Sequence, residues 1–106
     1  MMTKLRLDDL APELATELET LFRQHNEPAL ADQARALEIV ERCRCRDRFC
    51  ATFYPVPRPA IPWGPDHSTY VLLLGALHVD VLDGKIMCVE VLDRNEFREK
   101  LHAAMP

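Results

Sequence analysis

Apolar residues along this chain follow two different rhythms. Over residues 8–26 they fall at Leu10, Leu14, Leu18, Leu21 and Phe22, the three-to-four spacing that collects side chains on one face of a helix. Asp8, Asp9 and Glu13 suit the positive end of its dipole, Pro12 is tolerated in a first turn, and His25-Asn26 offers a stop. Pro28 can open a second helix through about Leu37, with Leu30, Ala34 and Leu37 inward. Residues 8–37 therefore predict an antiparallel pair of helices, the second with a narrow apolar face and shallow packing.

At Ile39-Val40 the helical period breaks. Residues 38–45 and 49–54 read as strands, with Arg46-Asp47-Arg48 as the turn between them. Five prolines in residues 55–65 remove backbone donors and hold the chain extended, so 55–68 is expected to be a surface loop, anchored where Trp63 buries its indole against the sheet. Residues 69–74 and 77–82 read as strands joined at Gly75-Ala76, and Asp83-Gly84 marks a two-residue hairpin before a strand over 85–92. In that register Val79 faces Cys88 and Val81 faces Ile86, while Met87, Val89 and Val91 point to the other face. Both faces of the last strand are then apolar, which predicts a central strand or one covered on both sides. Asp93, three residues before Glu96, can form a capping box for a final helix over 94–104 carrying Phe97 and Leu101. A single α+β domain, residues 1–106, is predicted: two N-terminal helices packed on an antiparallel sheet of about five strands, with a short C-terminal helix.

Composition narrows the function classes. A chain of 106 residues has room for two packed layers, and a hydrophobic fraction of 48% excludes intrinsic disorder. The net charge of −4 argues against general affinity for nucleic acid or an anionic membrane. The longest apolar run, residues 71–77, falls far short of the roughly 18 residues that span a bilayer. Residues 1–9 hold no apolar stretch suited to a signal peptide. A cytoplasmic location is expected, where the four cysteines are reduced thiols or metal ligands rather than a disulfide framework.

The densest chemistry lies in residues 42–50, where Arg42, Arg44, Arg46 and Arg48 alternate with Cys43 and Cys45, and Cys50 follows. Thiolates at Cys43, Cys45 and Cys50, with Cys88 or His78 as a fourth ligand, describe a zinc site, although paired Cys-x-x-Cys turns are missing. A two-residue turn at Arg46-Asp47 gathers the three sulfurs on one face but puts Arg42 and Arg44 beside Phe49, Ala51 and Phe53. A three-residue turn over 46–48 instead sets Ile39, Cys43, Cys45, Phe49, Ala51 and Phe53 on one face, with Arg42, Arg44, Cys50, Thr52 and Tyr54 on the other. Burial favours the second, because unpaired buried charge is costly, and it makes Cys43 and Cys45 small core hydrophobes. The four arginines then form a stripe for phosphate or, more plausibly, an acidic protein partner. Asp66, His67 and His78 carry acid and base chemistry only if they converge, and no nucleophile elbow, phosphate loop or His-Glu-x-x-His is present.

The segment Gly84-Lys-Ile-Met-Cys-Val-Glu-Val-Leu-Asp93, with the earlier Cys43-Arg-Cys45, resembles small uncharacterised bacterial proteins that share a Gly-x-Ile-x-x-Val-Glu-Val-Leu-Asp ending. The resemblance covers about the last third of the chain plus one dipeptide spacing. It implies a small sheet-containing domain in a bacterial cytosol and carries no functional residue. The expected function is non-catalytic protein binding, to a partner or a second copy, through Arg42, Arg44, Arg46, Arg48 or Trp63; an immunity or antitoxin role suits the size and acidity. The alternative is thiolate zinc binding by Cys43, Cys45 and Cys50 with Cys88, and the third class is a small enzyme. No catalytic residue is assigned, and no cofactor is expected outside the zinc alternative.

Overall fold

A computed structural model describes residues 4–58 and 64–106. Its elements run α1 (Leu7–Leu10), α2 (Pro12–Gln24), α3 (Pro28–Arg35), β1 (Glu41–Arg42), β2 (Phe53–Tyr54), β3 (Ser68–Leu73), β4 (Leu77–Leu82), β5 (Lys85–Val91) and α4 (Asn95–Ala104). The strands form one antiparallel sheet in the order β1-β2-β5-β4-β3. The α+β class expected from the hydrophobic rhythm is therefore the one formed, and β5 is central as its apolar composition requires. No helix among the described residues is long and apolar enough to cross a membrane.

The first predicted helix is broken in two. Pro12 disfavours helical backbone at the residue before it, and Ala11 sits at φ −147°, ψ 76° between α1 and α2. Pro12 itself occupies the first turn of α2, where its missing N–H costs nothing. The stop at His25-Asn26 has a full structural basis. Asn26 adopts φ 58°, its N–H bonds Arg23 O, and the Glu27 N–H bonds Phe22 O, the paired pattern of a Schellman end.

The helices cover one face of the sheet. Leu18 and Phe22 of α2, Leu30 of α3 and Leu101 of α4 are buried in one cluster with Val79 and Val89 of the sheet. Phe22 meets Tyr70 edge-on at 5.7 Å, and Phe53 meets Phe97 at 5.9 Å. Polar clamps tie the layers together. Gln33 of α3 accepts from the Ile86 N–H and donates to Gly84 O, gripping the β4–β5 turn, and Arg94 holds Glu17 through two bonds of 2.7 and 2.8 Å.

The β4–β5 hairpin turns at Asp83 (φ 51°) and Gly84 (φ 75°), the left-handed pair that a two-residue turn demands. Val81 faces Ile86 as expected, but Val79 faces Val89 and Asp80 faces Cys88. A bulge accounts for the difference: Met87 is an extra residue on β5, so the alternation resets and Ile86, Val89 and Val91 all point into the core. Cys88 is left on the second face of the sheet, buried there beside Tyr54. The capping box expected at Asp93 does not form. Asp93 turns the chain with φ 63°, and Arg94 precedes α4 with no side-chain cap.

The start of the proline-rich segment crosses the second face. The Arg58 N–H donates to a Glu41 carboxylate oxygen at 3.1 Å, and its guanidinium lies 5.6 Å from the Tyr54 ring centroid. The expected anchor Trp63 lies outside the described residues.

Candidate metal centre

The hairpin between β1 and β2 decides where the cysteines go. Glu41 pairs with Tyr54 and Arg42 with Phe53, and the Cys43 N–H donates to Thr52 O at 2.8 Å. Continued, this register sets Cys45 opposite Cys50 and leaves a four-residue turn, Arg46-Asp47-Arg48-Phe49. Neither shorter turn considered from the sequence is formed. Asp47 builds the longer one: its carboxylate accepts the Phe49 N–H at 2.9 Å, and its carbonyl accepts the Cys50 N–H at 3.1 Å.

Directly opposed residues share a face, so Arg42 and Arg44 fall on the helix side with Ala51 and Phe53. That is the arrangement disfavoured above on grounds of buried charge. The cost is avoided because β1 is the edge strand, and both guanidinium groups reach past the core to the C-terminal end of α4. Arg42 donates to Met105 O at 2.5 Å, the C-cap carbonyl at the negative end of the α4 dipole, and Arg44 to Pro106 O just beyond it at 3.2 Å. The charge is felt at His102, whose pKa is held down first by burial and then by Arg42, Arg98 and Arg44. Phe49, expected inside, is 47% exposed with the Arg48 guanidinium 5.5 Å from its ring centroid. The four arginines thus do not form one stripe: two cap a helix, one covers a ring, and Arg46 lies exposed in the turn.

The same register brings the Sγ atoms of Cys43, Cys45 and Cys50 within 4.8 Å of one another on the second face. All four cysteines are free thiols. The Cys45 backbone N–H points at the Cys43 sulfur, and the Asp47 N–H points at the Cys45 sulfur. Such bonds stabilise thiolate and fix its direction. Cys45, exposed, has its pKa lowered by the Asp47 N–H and then by hydrogen bonds from Cys43 and Cys50. Cys43, half-buried, is pushed up to about 11, chiefly by desolvation.

The remaining sequence candidates stand apart. Cys88 is buried, with its thiol pushed up to about 12 by desolvation, then by Asp80 and Glu90. Cys88 lies on β5, with β2 between it and β1; it is near enough to Cys43 and Cys50 for their charges to add to its rise, but it is not one of the sulfurs that lie within 4.8 Å of one another. His78 is on β4, two strand spacings from β2, or roughly 10 Å. Its Nε2 accepts the Gly75 N–H at 3.1 Å, which leaves the ring proton on Nδ1, 3.5 Å from Glu90. His67 places Nδ1 2.6 Å from Gly64 O. Because Ser68 pairs with Val81 and Val71 with His78, the two histidines sit at opposite ends of the β3–β4 ladder, roughly 13 Å apart along the strand. His67 and His78 therefore do not converge on one acid–base site.

The features that sequence reasoning missed are the two backbone N–H donors of Cys45 and Asp47 and the edge position of β1. The aspartate within the turn was the available signal for the first. No family model, curated protein or solved structure matches the chain.

Proposed function

We propose that this protein binds a thiophilic metal ion through Cys43, Cys45 and Cys50. The observation that carries this reading is the approach of three sulfurs to within 4.8 Å on an accessible edge of the sheet. Soft thiolates select copper(I), zinc and iron–sulfur species over hard ions. Donors at Cys43 and Cys45 offset part of the cost of holding adjacent thiolates. A reducing, cytoplasmic setting fits three neighbouring thiols that are not joined as disulfides. The test is elemental analysis of protein purified without chelator and again after reconstitution under reducing conditions. About one equivalent of a thiophilic metal is expected, falling in Cys43→Ser and Cys50→Ser; less than about a tenth of an equivalent after reconstitution refutes the reading.

A second reading, self-association, is favoured by β3. This edge strand has no charged residue, and Val71, Leu73 and Leu74 are 46%, 36% and 89% exposed. An uncharged edge is a template for pairing with another strand. A second copy, pairing β3 to β3 about a two-fold axis, is the occupant we propose. Light scattering should give a dimer that Val71→Lys returns to monomer; a monomeric wild type at the highest accessible concentration removes this reading.

A further inference from the structure

Resting on the metal-binding reading, we infer that the Cys43, Cys45 and Cys50 site is built for copper(I) in three-coordinate sulfur geometry rather than for a four-coordinate zinc ion. The number of donors carries this. Among the described residues the cluster has three members and no fourth His, Cys, Asp or Glu joins it. Structural zinc is almost always closed by four protein ligands, whereas copper(I), soft and without directional demand, is satisfied by three thiolates. Cys88 is buried and lies outside the group of sulfurs within 4.8 Å of one another, and His78 is engaged by Gly75 and Glu90.

The spacing is compatible with this coordination, as it is with any ion held by three thiolates. A metal–sulfur bond of about 2.3 Å puts three sulfurs about 4.0 Å apart when the ion lies in their plane. The observed spacing, within 4.8 Å, closes onto such an ion by less than about an ångström of side-chain movement, with no rearrangement of the sheet.

The chemistry is coordination without electron transfer: the ion enters as copper(I), and each thiol that binds releases one proton to solvent. The experiment uses the full chain, reduced and metal-free, under anaerobic conditions. Copper(I) is titrated against a chromophoric copper(I) chelator and zinc against a chromophoric zinc chelator, and the copper(I) form is studied by X-ray absorption. We expect one equivalent of copper(I), three sulfur neighbours, and an affinity that falls by at least about tenfold in Cys45→Ser and stays unchanged in Cys88→Ala. Zinc bound in preference to copper(I), two or four sulfur neighbours in the wild type, or weakened copper binding in a folded Cys88→Ala overturns the inference while leaving metal binding intact. Retention of neither ion by the wild type brings down the underlying reading as well. The sulfur count comes from the unaltered protein, so the outcome stands even if a variant fails to fold.

Discussion

Replacing Thr52 with valine exchanges a hydroxyl for a methyl at a position 6% exposed, the one buried polar side chain among the described residues. The Thr52 hydroxyl oxygen accepts the Val91 N–H at 3.2 Å and the neighbouring Ala51 N–H donates to Val91 O at 2.7 Å, so the Thr52 side chain adds to the backbone tie that Ala51 makes to β5. In Thr52→Val the backbone bonds remain and the Val91 N–H loses its partner. An orphaned buried donor costs about 1–3 kcal/mol. The new methyl returns up to about 0.8 kcal/mol of burial. A net loss of about 1–2 kcal/mol is expected, which for a domain of this size lowers Tm by roughly 4–8 °C per kcal/mol. Urea unfolding followed by circular dichroism should show a lower midpoint with an unchanged slope. Amide exchange separates the hydrogen bond from packing: Val91 should lose protection in Thr52→Val and keep it in Thr52→Ser, although serine also gives up a buried methyl. An unchanged midpoint, or a Val91 amide equally protected in the valine variant, refutes the reasoning.

The thiols should differ in reactivity. Limited alkylation near neutral pH, read by peptide mass spectrometry, is expected to label Cys45 first, because its pKa is lowered and it is exposed, and to leave Cys88 unlabelled until the chain unfolds. Glu17 should give the protein an acid-side dependence. Arg94 depresses its folded pKa below the ordinary 4.5, so the stabilisation is complete above the unfolded value and is lost as pH falls through the folded one. Glu17→Gln should cost about 0.5–1 kcal/mol at pH 7 and should flatten the stability profile below pH 4.5; an identical acid limb in the variant counts against this pair as its source.

The legible part of the fold is the part whose signals are local. The period of α2, the left-handed turn at Asp83-Gly84 and the apolar composition of β5 each depend on neighbours in sequence, and each is realised. The register of β5 is less accessible, because a bulge at Met87 changes the face of every later residue and leaves no mark among Ile86, Met87, Cys88 and Val89, which are all apolar. The site was hidden for a different reason. Whether Arg42 and Arg44 on the core side are tolerable depends on β1 being an edge and on the end of α4 lying beside it, more than 60 residues away in sequence. A burial argument applied to an interior strand gives the opposite face, and with it the opposite fate for Cys43 and Cys45.

That placement also separates the site from the source of stability. The helices bury Phe53, Val79 and Val89 on one face of the sheet, while the three sulfurs gather on the other, at its least extensively paired margin. An ion there cross-links residues 43, 45 and 50, loops so short that closing them removes little entropy from the unfolded chain. In small metal domains whose core is missing without the ion, chelation unfolds the protein. Here the core is complete without it, so chelator-treated protein should keep its far-ultraviolet circular dichroism and its amide protection in α2 and β5. Metal should add only the linkage term, about 2.7 kcal/mol at a hundredfold excess over Kd, with the protection gained in residues 43–50. Loss of the β5 amides on chelation would show instead that the hairpin edge organises the sheet, and that site and core are one cooperative unit.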